Sequence, residues 1–159
     1  MFCDFDKTEF CDNANKEIVF ADLFGTLCGG KIGSGASRDV YICEIMPEYV
    51  VKVAKDAVFN GVNQNYQEYR VCQQLIKTRW AKYLAPVFFA SHNYIFLLQK
   101  KCLPLREHEI PKRVPRFLND RKQDNWGVLN GKVVCFDYGI ANYNIPESEL
   151  KLEKWENEK

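Results

Sequence analysis

The sequence predicts a single α+β domain, and three observations carry that prediction. A glycine-rich segment runs straight into the strand pattern VYICEI, and a second apolar strand, 49–54, follows after the turn-sized connector Met46-Pro47-Glu48. Residues 63–80 place Tyr66, Tyr69, Cys72, Leu75 and Ile76 on one face of a helix. Asn130-Gly131 separates Val128-Leu129 from the apolar run 132–136, the pairing that most strongly signals a tight hairpin.

The remaining elements follow in order. Residues 1–13 are polar with scattered aromatics and read as a loose arm. Residues 15–27 carry Ile18, Val19, Ala21, Leu23 and Phe24 at helical spacing, a short helix packed on the domain. Strands are expected at 39–45, 49–54, 87–90 and 94–99, the last two around a Ser91-His92-Asn93 turn. Pro104 and Pro111 bracket a charged connector, and 113–119 reads as a short helix with Pro115 in its first turn. The tail 147–159 is charge-dense and reads as helical or frayed. No internal repeat or low-complexity segment is visible.

Composition narrows the class. With 159 residues the chain can bury a real core as one domain. Its 47% hydrophobic and 27% charged residues are ordinary for a soluble protein, and a net charge of +1 gives no global pull toward nucleic acid or anionic lipid. Apolar runs such as YIFLL at 94–98 are too short to span a membrane. None of the seven cysteines (Cys3, Cys11, Cys28, Cys43, Cys72, Cys102, Cys135) forms a C-x-x-C, and the start lacks the layout of a secretion signal. Reduced thiols and a cytoplasmic location are therefore expected, with no zinc site.

Four segments carry chemistry. Gly33-Ser34-Gly35 would let backbone N–H groups approach a phosphate, although an ordinary glycine hairpin has the same composition. The loop runs into a strand, and Arg38 stands where a dinucleotide fingerprint needs its third glycine, so the loop reads as a lid between two strands. Lys52 lies inside an apolar strand, which is costly unless the ammonium is paired, and Glu68 on the next helix is the natural partner. Lys55 is the competing lysine, past the apolar run. Asp120 and Asn125, five positions apart, are candidates for a catalytic carboxylate and a metal ligand, with Asp124 as the alternative to Asp120. Lys122 suits a group that neutralises a transferring phosphoryl. Asp137 ends the apolar strand and is followed by Tyr138 and Gly139, a position better explained by metal coordination than by packing.

With these segments in this order the chain resembles the protein-kinase-like superfamily. GSGASRDVY is similar to its glycine loop, Lys52 to its strand lysine and Glu68 to its helix glutamate; LNDRKQDN is similar to its catalytic loop and DYG to its D-F-G. The likeness spans 29–141. It implies a bilobal protein-kinase-like fold, with an antiparallel N-lobe sheet plus one helix over 15–99, a hinge at 100–105 and a much reduced C-lobe over 106–159. It also implies ATP in the cleft. Gln99 and Cys102 would lie at the adenine-holding hinge, Val40 and Val50 would line the adenine pocket, and Gly33, Ser34 and Gly35 would cover the phosphates. Lys52 would pair the α- and β-phosphates and Glu68 would hold Lys52. Asn125 and Asp137 would bind Mg²⁺, and Asp120, helped by Lys122, would serve the acceptor hydroxyl.

The departures bear on function. Leu118-Asn119 replaces the superfamily's His-Arg, Tyr138 replaces its phenylalanine, and only about twenty residues separate the hinge from Asp120. No A-P-E motif follows Gly139. The likeness is to minimal kinase-like proteins of the sort found in bacteriophages and bacteria. Two functions are therefore expected to compete. One is an ATP-dependent phosphotransferase, a small serine/threonine kinase acting on a protein hydroxyl. The other is an inactive kinase-fold module that binds or inhibits a partner protein. The basic run Lys112, Arg113, Arg116, Arg121 and Lys122 is expected to meet phosphates or solvent rather than nucleic acid. His92 and His108 are expected at the surface.

Overall fold

A computed structural model describes residues 13–55, 63–141, 146 and 150–155, with the backbone alone for 13–16 and 19. The expected arm over 1–12 and the outer parts of the tail lie outside the described residues. Helix α1 (Asn13–Leu27) is followed by β1 (Cys28–Ser34), β2 (Arg38–Cys43), β3 (Tyr49–Ala54), α2 (Gln64–Leu75), β4 (Val87–Ala90) and β5 (Phe96–Lys100). These five strands form one antiparallel sheet in the order β1-β2-β3-β5-β4. Then come β6 (Leu103–Pro104), β7 (Arg113–Pro115), β8 (Trp126–Leu129), β9 (Lys132–Cys135) and β10 (Leu152–Lys154). Strands β6, β8 and β9 make a second small sheet, and β7 pairs with β10. The class is α+β, with a five-stranded antiparallel sheet and few helices.

Strand β3 explains how the large sheet is held. Its four central residues are all buried, and side chains alternate across the pleat. Val51 and Val53 face a cluster with Cys43, Phe96 and Leu98, against which Phe24 and Leu27 of α1 pack. Phe20 stacks on Phe96 at 5.4 Å and Phe24 meets the edge of Tyr41 at 5.1 Å. Val50 and Lys52 point the other way, toward the side covered by α2.

The second cluster runs from α2 and the sheet into the C-terminal half. It joins Val71, Cys72, Val87 and Leu97 to Val114, Phe117, Leu118, Trp126, Cys135 and Tyr138. Phe117 and Leu118 are 1% and 2% exposed, so each contributes roughly 1.5–3 kcal/mol of burial. Leu118, which replaces a histidine in the superfamily pattern, is thus a core residue. Tyr138 is buried as well, and its hydroxyl donates to the Ala85 carbonyl at 2.7 Å.

Three sequence expectations need correction. Helix α2 ends at Leu75, because the Thr78 hydroxyl donates to the Leu75 carbonyl at 2.8 Å and accepts from Trp80 N, closing the chain into turns. The helix expected at 113–119 is strand β7 followed by a turn. The described part of the tail is strand β10, which pairs with β7 in the register Leu152–Pro115, Glu153–Val114 and Lys154–Arg113. The Asn-Gly hairpin forms as expected, with φ of 51° at Asn130 and 74° at Gly131, the left-handed pair that a two-residue turn of this kind requires.

Candidate active site

A cavity of about 730 Å³ opens between the large sheet and the β8–β9 hairpin. Its lining includes Gly33, Gly35, Val40, Val50, Lys52, Gln99, Cys102, Asp120, Lys122, Asn125 and Asp137, eleven of the thirteen residues expected at the site. Ser34 and Glu68 are not among them. Ser34 is exposed, and its hydroxyl donates to Asp39 at 2.8 Å while accepting from Lys55 at 2.9 Å. Glu68 lies beneath the cavity floor with no exposure.

The floor is built from β2, β3 and α2. The Asn63 side chain caps α2 by accepting from Tyr66 N at 3.0 Å, which sets where the helix begins. That start brings Glu68 under β3. Its Oε1 accepts from Lys52 at 2.6 Å and from Gln99 Nε2 at 2.7 Å, and its Oε2 accepts from Arg38 at 2.5 Å. Lys52 also donates to the Phe136 carbonyl. The two lysines differ in their surroundings. Lys52 is buried in the floor, whereas Lys55 donates to the Gly35 carbonyl at 2.7 Å and pairs with Asp39, fastening the two ends of the glycine loop. Asp39 titrates near 2 because of its hydrogen bonds from Lys31 and Ser34.

Arg38 is the residue whose place in the site the sequence reading missed. Its guanidinium bonds Glu68, Asn65 Oδ1 at 3.2 Å and Asp137 Oδ1 at 2.6 Å. The signal was visible as an arginine in the third glycine's place, but its partner Asp137 lies 99 positions downstream. The Gln99 side chain is fully buried and directed at Glu68 and the Ala85 carbonyl, so it braces the floor.

Burial and neighbouring charge act in opposition here. Burial pushes the Asp137 carboxyl up, but Arg38 and Lys52 outweigh it and hold the group below the usual carboxylate range. Burial pulls the Lys52 ammonium below its ordinary value, a shift that Glu68 opposes and Arg38 reinforces. For Arg38, burial is outweighed by Glu68 and Asp137, which hold the guanidinium charged. At the hinge side, burial pushes the Cys102 thiol up to about 11.

The opposite wall comes from the loop between β7 and β8. Asp120 is one-fifth exposed, yet its Oδ1 is buried without a hydrogen-bond partner. Lys122 Nζ stands 3.9 Å away and is largely exposed. Residues Gln123–Asn125 form a 3-10 turn, and the Asn125 carbonyl accepts from both Phe136 N at 2.9 Å and Asp137 N at 3.3 Å. The Asp120 loop and the Asp137 segment are therefore tied through one oxygen. Gly139 lets the chain pass directly over α2, since a Cβ there would meet the Gln64 carbonyl at 3.0 Å.

Asn125 and Asp137 share the cavity, as a metal pair should. However, Asp137 already holds a fixed guanidinium, and a divalent ion placed against the same carboxylate would be repelled by it. With Arg38 in place these residues do not fit a resident Mg²⁺. Among the described residues, no group of three or more His, Cys, Asp or Glu side chains is arranged to hold a metal.

Other expectations fall outside the cavity. Arg116 and Arg121 of the basic run pair with Glu153, and Arg113 donates to the Leu152 carbonyl, so this run is partly neutralised by β10. The five described cysteines are free thiols, and no described helix is long and apolar enough to cross a membrane.

No family model and no curated protein matches this chain. Among solved structures, it is similar to the gentamicin complex of APH(2")-IIa, with 18% identity and a TM-score of 0.43, over 60% of this chain and 32% of that one. It is similar to the streptomycin–ATP–APH(2")-IIa ternary complex at 18% identity and a TM-score of 0.42, over 60% and 33%. The chain spans about a third of the length of each.

Proposed function

We propose that the cavity binds the phosphates of ATP and that the protein is an ATP-dependent phosphotransferase, a small serine/threonine kinase acting on a protein hydroxyl. One observation carries the reading: a buried lysine–glutamate pair lies across one cavity from the Asp120 carboxylate, which makes no hydrogen bond through its Oδ1. Lys52 has three ammonium hydrogens and gives two of them to Glu68 and the Phe136 carbonyl, so the third can meet a phosphate oxygen. Gly33 and Gly35 line the cavity where the phosphate tail would lie, with no side chain in the way, and Val40 and Val50 provide an apolar seat for the base. The Asp120 carboxylate would accept the proton of the acceptor hydroxyl, with Lys122 countering charge on the transferring group.

The acid test is the consumption of labelled γ-phosphate by the full chain, compared with Lys52→Met and Asp120→Asn. The reading expects label to move to the protein or a lysate substrate, with both variants losing it. A second reading is favoured by the Arg38–Asp137 pair, which occupies the carboxylate expected to work with a metal. On that reading the protein is a kinase-shaped module that binds nucleotide or a partner protein without transfer. A thermal shift with ATP, but no loss of γ-phosphate, would select it.

A further inference from the structure

We infer that Arg38 stands in for a divalent cation at Asp137, so that triphosphate binds in this cavity without a metal ion. The inference rests on the proposal that the cavity takes ATP phosphates, and it adds how their charge is met. Three facts support it.

The first is that the guanidinium is fixed before any ligand arrives. Asn65 is fully buried, and its Nδ2 donates to the carbonyls of Lys52, Tyr94 and Ile95 at 3.1, 2.9 and 3.1 Å. Its Oδ1 is thereby left to face Arg38. With Glu68 on the other oxygen contact, Arg38 is held at one end and delivers Nη2 to Asp137. Arg38 itself is 5% exposed and lines the cavity.

The second is the charge balance. Arg38 and Lys52 cancel Glu68 and Asp137 within the floor. The other charged groups on the lining are Lys100, Lys101 and Lys122 against Asp120 and Asp124. Lys100 pairs with Glu48 outside the lining, so the remaining charges balance, and the cavity is not a carboxylate-rich hollow that calls for a divalent ion. An incoming triphosphate meets cations already in position, and a guanidinium suits phosphate oxygens better than a point charge does.

The third is geometric exclusion. Mg²⁺ needs a near-octahedral set of oxygens at short range. At Asp137 one oxygen is already committed to Arg38, whose charge repels a second cation.

The test is a calorimetric titration of ATP into the full-length protein, once in EDTA and once in Mg²⁺. The expected result is a Kd that differs by less than about threefold between the two. Arg38→Gln should bind ATP at least tenfold more tightly in Mg²⁺ than in EDTA, because the Asp137 carboxylate is then open to the metal. Arg38→Lys should fall between them. If the unaltered protein binds well in Mg²⁺ and loses tenfold or more in EDTA, the inference is overturned while the ATP-site proposal stands. If it binds ATP in neither buffer, both fall. The comparison on the unaltered protein decides the matter even if the Arg38 variants do not fold.

Discussion

The two sides of the cavity are built on opposite plans. On the floor, Arg38, Lys52, Glu68 and Asp137 form a closed set, and three of the four are at most 5% exposed. Each charge there answers another charge. On the far wall, Asp120 and Lys122 stand at 3.9 Å, and Asp120 keeps an oxygen with no partner. Buried charges in a saturated network hold geometry, and removing one leaves the others stranded. A charge kept short of partners costs the fold little when altered and is available to a ligand. The floor should therefore register in stability and the wall in turnover.

The largest stability effect should come from Glu68→Ala. It removes the carboxylate shared by two buried cations and the Gln99 amide, a loss of about 3–5 kcal/mol, or roughly 10 °C or more in Tm at this chain length. Chemical denaturation would check it, and a loss under about 1 kcal/mol would break the contrast between floor and wall. Lys52→Met should cost less, about 1–3 kcal/mol, because Arg38 and Gln99 still serve Glu68. Its ATP affinity should fall by about tenfold or more.

Acid titration sharpens the same contrast. Asp137 has a folded pKa below its ordinary value of 3.8, so its contribution is fully present above that value. It is lost as the pH falls through the lower folded value. Stability measured from pH 5 down to pH 2 should therefore drop more steeply in the unaltered protein than in Asp137→Asn. Equal slopes would mean that the Arg38–Asp137 pair is not made in solution. The smallest stability effect should belong to Asp120→Asn, within about 0.5 kcal/mol of the parent, while phosphate transfer falls by about 10²-fold or more.

Much of this was legible in the sequence, and the failures share one cause. Strand β3, helix α2 and the Asn-Gly hairpin announce themselves through local periodicity and turn chemistry, and they position Lys52, Glu68 and Asp137. Strands β7 and β10 have no such local signature. Arg-Val-Pro and Leu-Glu-Lys become strands because they pair with each other across nearly forty residues of chain. The Arg38–Asp137 pair is hidden for a related reason: its two members stand 99 positions apart, and nothing local to either announces the other.

The doubly used Asn125 carbonyl has a consequence of its own. Because one oxygen receives the amides of Phe136 and Asp137, a change in the peptide that carries Asp137 is passed to the Gln123–Asn125 turn that follows Asp120. If nucleotide and acceptor bind as proposed, this shared pivot would couple them, and by thermodynamic reciprocity the influence would be equal in both directions.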